Sequence, residues 1–466
     1  MKHIIYLSSL ILLLCSCNFE DTNTDPKALP EVDATSILPV ILLQTAYNAN
    51  TLNGRAAGVW SQYYSGQSLQ EADLEIYKLT PSIENDPWNN GFFGGVLKDC
   101  NLLIKLASEQ NRPVVNGIAK VMMAYNLGMA TAIWGDIPYS EAFQGSKNPS
   151  PSYDTQESIY NAIEKLLLDA VINLQSTANN NFPSVSTNDL IYSGNALYWL
   201  KFARSLQARF ALHQIKRNEM DSLSKIQAAL IAGVLQSLAD EPLFKFGTSI
   251  NNGHPIAVFN TRQQGRLIGN AGFAARLNSK SDPRLSKYMT LQEDGTTWAI
   301  YQASPTGNLT WGVYTSSFPF ISYEEIKFIE AEYNVRVGNT NDAQIALTEA
   351  VSVNMLKNKI DGNSYIAALD SLTGNLTTDL KIVLEQKYIA LFGQAMIESW
   401  TDIRRTGIPN LIPVPSDSPQ NPSGIIPLRA PYPTTEQLVN ADNYSQAIKR
   451  QGNGLGLLDD SMWIFD

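Results

Sequence analysis

Residues 322–350 read SYEEIKFIEAEYNVRVGNTNDAQIALTEA, and their spacing decides the fold. Ser322 and Glu325 form a capping box, in which a serine and a glutamate three positions on satisfy free backbone N–H groups at a helix start. Gly338 supplies the left-handed stop at the far end. A second helix starts near Asn341 and carries Ala343, Ala346, Leu347 and Ala350. The product is a helix-turn-helix pair with small residues at its crossing, where two backbones can approach closely.

Similar signals recur along the chain. Asp154 and Glu157, after Pro151, read as another capping box, and Ile159, Ile163, Leu166, Leu167, Ala170 and Leu174 follow at helical spacing. Residues 115–133, 199–216 and 380–405 read as further long helices. Ala124, Gly128 and Ala132 again place small residues four apart on one face. No clean 34-residue repeat is visible, yet the pairing pattern is that of a tetratricopeptide-type scaffold. The predicted class is mainly α, with tetratricopeptide-like helix pairs as scaffold and a loop-rich face carrying a few short strands. That face is expected over about 240–320, rich in Gly, Asn, Thr and aromatics, and over the proline-rich stretch 409–432. Long ordered loops on a rigid frame are where binding usually resides.

At the N-terminus, Lys2 precedes an apolar run from Ile4 to Leu14, broken only by Ser8 and Ser9. The run is too short to span a bilayer and has the layout of a signal peptide. It ends in Leu14-Cys15-Ser16-Cys17, which resembles the lipobox of bacterial lipoproteins. Cleavage before Cys17 would leave that cysteine to carry acyl chains. Each buried CH2 contributes about 0.8 kcal/mol, so several chains hold firmly where one does not. The expectation is a signal peptide over 1–16, a lipidated tether over 17–36 and a single folded domain over 37–466. No later apolar stretch is long enough to cross a membrane as a helix.

The 466 residues carry a formal net charge of -10. An acidic body does not suit nucleic acid or anionic lipid as partner; it suits a neutral ligand held by rings and hydrogen bonds. Once the signal peptide is gone, Cys100 stands alone beside the acylated cysteine and cannot close an intramolecular disulfide. His213 and His254 are the only histidines left, so zinc sites of the His and Cys type are nearly excluded and no cofactor or metal is expected. Phosphate loops, zinc-protease helices, nucleophile elbows and dinucleotide fingerprints are missing. His213 lies inside a helix and reads as structural. His254, in a Gly-flanked loop, is within reach of a ligand. Glu325, Glu330 and Glu332 share one helix, and carboxylates on one rigid helix cannot flank a sugar from both sides. They are expected to meet water or basic residues such as Arg404 and Arg405.

Rings are the stronger signal. A sugar stacks its C–H face on flat aromatic side chains while its hydroxyls take polar partners. Trp60, Tyr63 and Tyr64 lie together early in the body, and Trp88, Asn89 and Asn90 follow Pro87 in a predicted loop. Trp298, Tyr301, Trp311, Tyr314, Phe318 and Phe320 crowd the later loop region. Tyr64, Trp88, Asn89, Trp298, Tyr301, Trp311 and Tyr314 are the candidate ligand-binding residues. Trp199 and Trp400, in apolar helical stretches, are expected in the core.

Several stretches occur in an order that carries a resemblance. They include Asn23-Thr24-Asp25-Pro26, Trp134-Gly135-Asp136-Ile137-Pro138-Tyr139 and Ser281-Asp282-Pro283-Arg284. Phe328-Ile329-Glu330-Ala331-Glu332 and Trp400-Thr401-Asp402-Ile403-Arg404-Arg405-Thr406-Gly407 follow. Over nearly the whole mature chain this resembles the SusD/RagB family of outer-membrane lipoproteins, and more closely its SusD-like branch. The resemblance implies four tetratricopeptide-like helix pairs supporting a loop-rich ligand face, with no catalytic activity. It implies a place outside the cell beside a SusC-like TonB-dependent β-barrel transporter, to which an oligosaccharide or other nutrient is delivered. Glu20 and Asp21 resemble the short acidic signal that sends such lipoproteins to the cell surface. The matched stretches are scaffold, so the list of ligand-binding residues rests on loop aromatics alone. Surface glycoside hydrolysis, peptide capture and a purely structural role beside the barrel stay open as alternatives.

Overall fold

A computed structural model describes residues 33–178, 185–301 and 309–466. The expectations for the signal peptide, for Cys17 and for most of the tether fall outside those residues. Where the description begins, the chain is already packed. Asp33 pairs with Arg112, the Ala34 N–H donates to Gln110 at 3.3 Å, and Ala34 and Thr35 are buried. The folded body therefore starts before the expected boundary at residue 37.

Helices dominate. α1 (Leu38–Asn50) and α2 (Leu52–Trp60) lead into β1 (Tyr64–Gly66). A π-helical segment at Pro87–Val96 precedes the hairpin of α3 (Leu97–Glu109) and α4 (Pro113–Trp134). α5 (Gln156–Leu174) lies along α4, and α6 (Ala196–His213) pairs with α7 (Glu219–Ala232). The loop-rich region then holds β2 (Leu243–Phe244), α8 (Pro255–Arg262), β3 (Leu267–Gly269) and α9 (Ala271–Ser279). It continues through β4 (Thr290–Leu291), β5 (Trp298–Ala299) and β6 (Phe318–Pro319). Then come the pair α10 (Tyr323–Arg336) and α11 (Thr340–Lys357), then α12 (Leu376–Ala390) and α13 (Met396–Thr406), and two short helices at Thr434–Val439 and Ala441–Lys449 follow. The helix pairs and short strands follow the predicted class. The region 240–320 is more ordered than expected, because it carries helices as well as strands, whereas 409–432 holds neither helix nor strand.

Local chemistry accounts for the ends of these helices. The Ser322 hydroxyl accepts from the Glu325 N–H at 3.2 Å, as the capping box requires. The other half of the box is missing, because the Glu325 carboxylate turns to Arg209. At α5 the cap is Thr155, which accepts from the Ser158 N–H, and not Asp154. Asp154 forms a β-bridge with Ile137, and its carboxylate accepts from the Tyr139 and Ser140 N–H groups at 2.9 Å each. The expected single helix over 380–405 is two, parted where Gly393 takes a φ of +74°. The apolar run through Leu391 and Phe392 hid that break.

Small residues set the crossings. A Cβ on Gly128 of α4 would sit 2.2 Å from the ring of Phe210 on α6, so the helices meet at this spacing only with glycine there. Ala331 of α10 packs with Ala343, Ala346 and Ala350 of α11 in a separate apolar cluster. Elsewhere the scaffold is joined by buried charges. Arg209 of α6 donates twice to Glu325 of α10, at 2.7 and 2.6 Å. Arg405 of α13 donates twice to Glu332 of α10, at 2.7 and 2.5 Å. Lys357 of α11 reaches Glu324 at 2.9 Å. Arg404, expected to pair with these carboxylates, instead lies 3.4 Å over the Trp400 ring and donates to the carbonyls of Ala132 and Leu428.

Two small antiparallel sheets tie the loop-rich region to this frame. One has the order β1-β3-β5-β4, with Tyr64 opposite Gly269 and Trp298 opposite both Gly269 and Leu291. The other pairs Leu243 with Pro319 and Phe244 with Phe318.

Candidate functional site

The seven predicted ligand residues separate by burial. Trp88 is 2 % exposed and is a core residue. Its ring packs on Phe93 at 4.2 Å, Trp134 at 5.1 Å and Tyr432 at 5.7 Å. The predicted loop around it is helical. Its glycines serve close packing: a Cβ on Gly91 would crowd Asn48, whose side chain donates to the Gly91 carbonyl at 2.8 Å. Asn89, half-buried, donates to the Thr435 hydroxyl at 3.1 Å. Tyr64 is also 2 % exposed, edge-on to Phe392 at 5.7 Å. Trp311 is 8 % exposed, and its indole lies on the backbone at Gly393. Tyr64 and Trp88 therefore offer no ring face to a ligand, and Trp311 offers little more than an edge. Trp298, Tyr301 and Tyr314 remain half-exposed.

Tyr301 and Tyr314 form a pair, with ring centroids 6.5 Å apart and planes at 57°. Thr261 of α8 joins them: its hydroxyl donates to the Ala257 carbonyl at 2.8 Å and lies 2.5 Å from Tyr301 Oη and 2.8 Å from Tyr314 Oη, placed to accept from both. The Tyr314 carbonyl is held in turn by the His254 N–H at 2.8 Å. His254 itself caps α8, where its Nδ1 accepts from the Ile256 N–H at 3.3 Å. Burial pushes its pKa down to about 3, so the ring is neutral and serves the frame rather than the ligand. Trp298 stands apart in β5; no ring contact joins it to the two tyrosines among the described residues.

The loop that carries Tyr314 also walls a cavity of about 510 Å³, between residues 309–319 and the C-terminal end of α11. Trp311, Thr310, Ser316 and Ser317 line one side, with Lys287 and Lys359 on the others. This volume is in the range of a small-molecule site. A second cavity of about 300 Å³ runs between α5, α6 and α7 and is walled mostly by Leu, Val, Ile and Ala side chains. Glu164, Arg204, Gln207, Gln214 and Lys225 also border it, but Lys225 pairs with Glu164 at 2.7 Å, Arg204 donates to the Ala232 carbonyl and Gln214 to the Phe210 carbonyl at 3.1 Å.

The carboxylates considered for hydrolysis are committed elsewhere. Glu325 and Glu332 are buried in bidentate pairs with Arg209 and Arg405, and Glu330 binds Lys327 at 2.9 Å. His213 is likewise satisfied, 3.0 Å from Tyr160 Oη and 2.8 Å from Glu398. Sequence reasoning missed Thr261, Lys287 and Lys359. None lies in an aromatic run, and only the fold brings their segments together.

Solved structures share this architecture. A chitin-binding protein matches with a TM-score of 0.76 at 22 % identity, covering 93 % of this chain and 100 % of its own. A chitin-binding SusD homologue from Flavobacterium johnsoniae gives 0.75 at 18 %, covering 92 % and 98 %. A SusD/RagB family protein from Bacteroides thetaiotaomicron gives 0.74 at 25 %, covering 93 % and 99 %. At these identities the likeness establishes the fold. A comparison with curated protein sequences found no match. The model of the SusD-like family, described as starch-binding and associating with the outer membrane, matches residues 26–433, and the chain belongs to that family.

Proposed function

We propose that this chain captures a glycan over Tyr301 and Tyr314 at the cell surface and passes it to a SusC-like TonB-dependent transporter. As a member of a carbohydrate-binding family it is a binding protein and not an enzyme. The tyrosine pair carries the reading. Two half-exposed rings held by one threonine hydroxyl lose little freedom on binding, so stacking is not offset by the cost of ordering them. The chitin-binding relatives favour a glycan over a peptide. Among the described residues no helix is long and apolar enough to cross a membrane. Outer-membrane association would then rest on acyl chains at Cys17, as the Leu14-Cys15-Ser16-Cys17 run suggests.

Calorimetry of the mature chain against a panel of neutral oligosaccharides tests this. The wild type is expected to bind at least one member, and the Tyr301→Ala, Tyr314→Ala double variant to bind it at least about tenfold more weakly with its melting temperature nearly unchanged. Equal affinity in the two proteins would remove the tyrosine pair from the site. For delivery, the chain is expected to co-purify with a β-barrel transporter from outer membranes.

A further inference from the structure

The cavity next to the tyrosine pair has an unbalanced wall. Lys287, Lys357 and Lys359 line it against one carboxylate, Glu241. Lys357 is accounted for, with Glu241 at 3.1 Å and Glu324 at 2.9 Å. Glu241 is occupied as well, since it also accepts from the Tyr323 N–H at 2.8 Å. Neither Lys287 nor Lys359 has an ion-pair partner among the described residues, and residues 302–308 contain no Asp or Glu to supply one. Lys287 is held at the wall, because its carbonyl accepts from the Thr310 N–H at 2.9 Å. Trp311, which borders this cavity and a smaller one beside Tyr64 and Gly393, is more than nine-tenths buried, and its indole N–H has no acceptor among the described residues. Two lysines without an ion-pair partner among the described residues thus border a space of about 510 Å³ in a chain whose net charge is -10. An anion would be held there locally against the field of the rest of the molecule.

We propose that this cavity takes the acidic group of a glycan on Lys287 and Lys359. This rests on the reading that the loop-rich region binds glycan, and it assigns a preference for acidic sugars over their neutral counterparts. An ammonium group is a point charge without the planar fork of arginine, so a uronate carboxylate and a sulfate ester share the required chemistry.

The test uses the mature chain and matched tetrasaccharides of glucose, galactose and mannose, each in neutral, uronate and sulfated form. At least one acidic probe is expected to bind about tenfold or more tightly than its neutral counterpart. That advantage should shrink as salt rises from about 50 to about 300 mM, and vanish in the Lys287→Gln, Lys359→Gln double variant. The uronate and sulfated arms show which group is taken. Acidic and neutral probes binding alike, or an acidic preference that survives the double variant, would overturn the proposal. Neutral binding that depends on Tyr301 and Tyr314, without acidic preference, sinks this inference and leaves glycan capture standing. Binding of no probe at all sinks both. Circular dichroism of the double variant verifies that it is folded.

Discussion

Glu332 is buried and charged because cations surround it. Burial pushes its pKa up, but Arg405, Arg336 and Lys387 outweigh that and bring it to about 2. A carboxylate held lower in the fold than in the unfolded chain stabilises above about pH 4, and its contribution is lost as pH falls toward 2. Glu332→Gln removes one of the two carboxylates on the buried Arg405 and leaves Asp402 at 2.8 Å, so it is expected to destabilise at pH 7 by less than the about 3–5 kcal/mol of a buried charge stripped of its partner. Urea denaturation measures it. Glu84 is the opposite case. It is fully buried, takes one hydrogen bond from Asn53 at 3.2 Å and has no cation beside it among the described residues. Burial raises its pKa to about 8. Its fold-stabilising protonated form is complete below about pH 4, and the contribution falls as pH rises toward 8. Glu84→Gln is therefore expected to leave stability unchanged at pH 4 and to raise it at pH 9, by on the order of a few kcal/mol. A higher denaturation midpoint at pH 4 would count against that assignment. Trp88, read from the sequence as a ligand platform, is now expected to behave as core: Trp88→Ala should cost about 3–5 kcal/mol in the same assay.

Among the elements, crossings and turns separate stability from binding. The spacing of Ala124, Gly128 and Ala132 was readable as a close helix contact, and the partner proved to be Phe210. Gly128→Ala would press on that ring and is expected to cost about 1–3 kcal/mol in thermal or chemical denaturation. Gly312 governs the ligand region instead. It has a φ of +86°, and a Cβ there would lie 1.9 Å from the Ile300 carbonyl oxygen. Gly312→Ala should shift residues 309–317 and with them Tyr314. Glycan affinity is expected to drop by at least about tenfold, while the scaffold's melting temperature moves little. A large fall in melting temperature with affinity intact would reverse the roles assigned here to turn and scaffold.

Over the whole molecule, α10 is the hub. It meets α6 through Glu325 and Arg209, α11 through Glu324 and Lys357, and α13 through Glu332 and Arg405. Such a frame keeps the loop-rich region in place, and at the C-terminal end of α11 it also walls the cavity that Lys359 borders. Anchoring is a separate matter, set by a few residues at the N-terminus. Cys17→Ser is expected to move the protein from the membrane fraction to the soluble one, because it removes the only proposed site for acyl chains. Immunoblotting of the fractions checks this, and a variant that stays with the membrane would argue against the anchor.

Helical class, the pairing of α10 with α11, the stop at Gly338 and the family were all readable along the chain. They depend on spacing between near neighbours and on the order of short stretches. Burial was not readable, because it depends on what folds over a residue from far away in the chain. Trp88 looked like a loop residue until Trp134 and Tyr432 closed around it, and Trp311 until its ring came to rest on Gly393. The union of Thr261, Tyr301 and Tyr314, like the meeting of Lys287 and Lys359 at one cavity, exists only once separate segments are packed together.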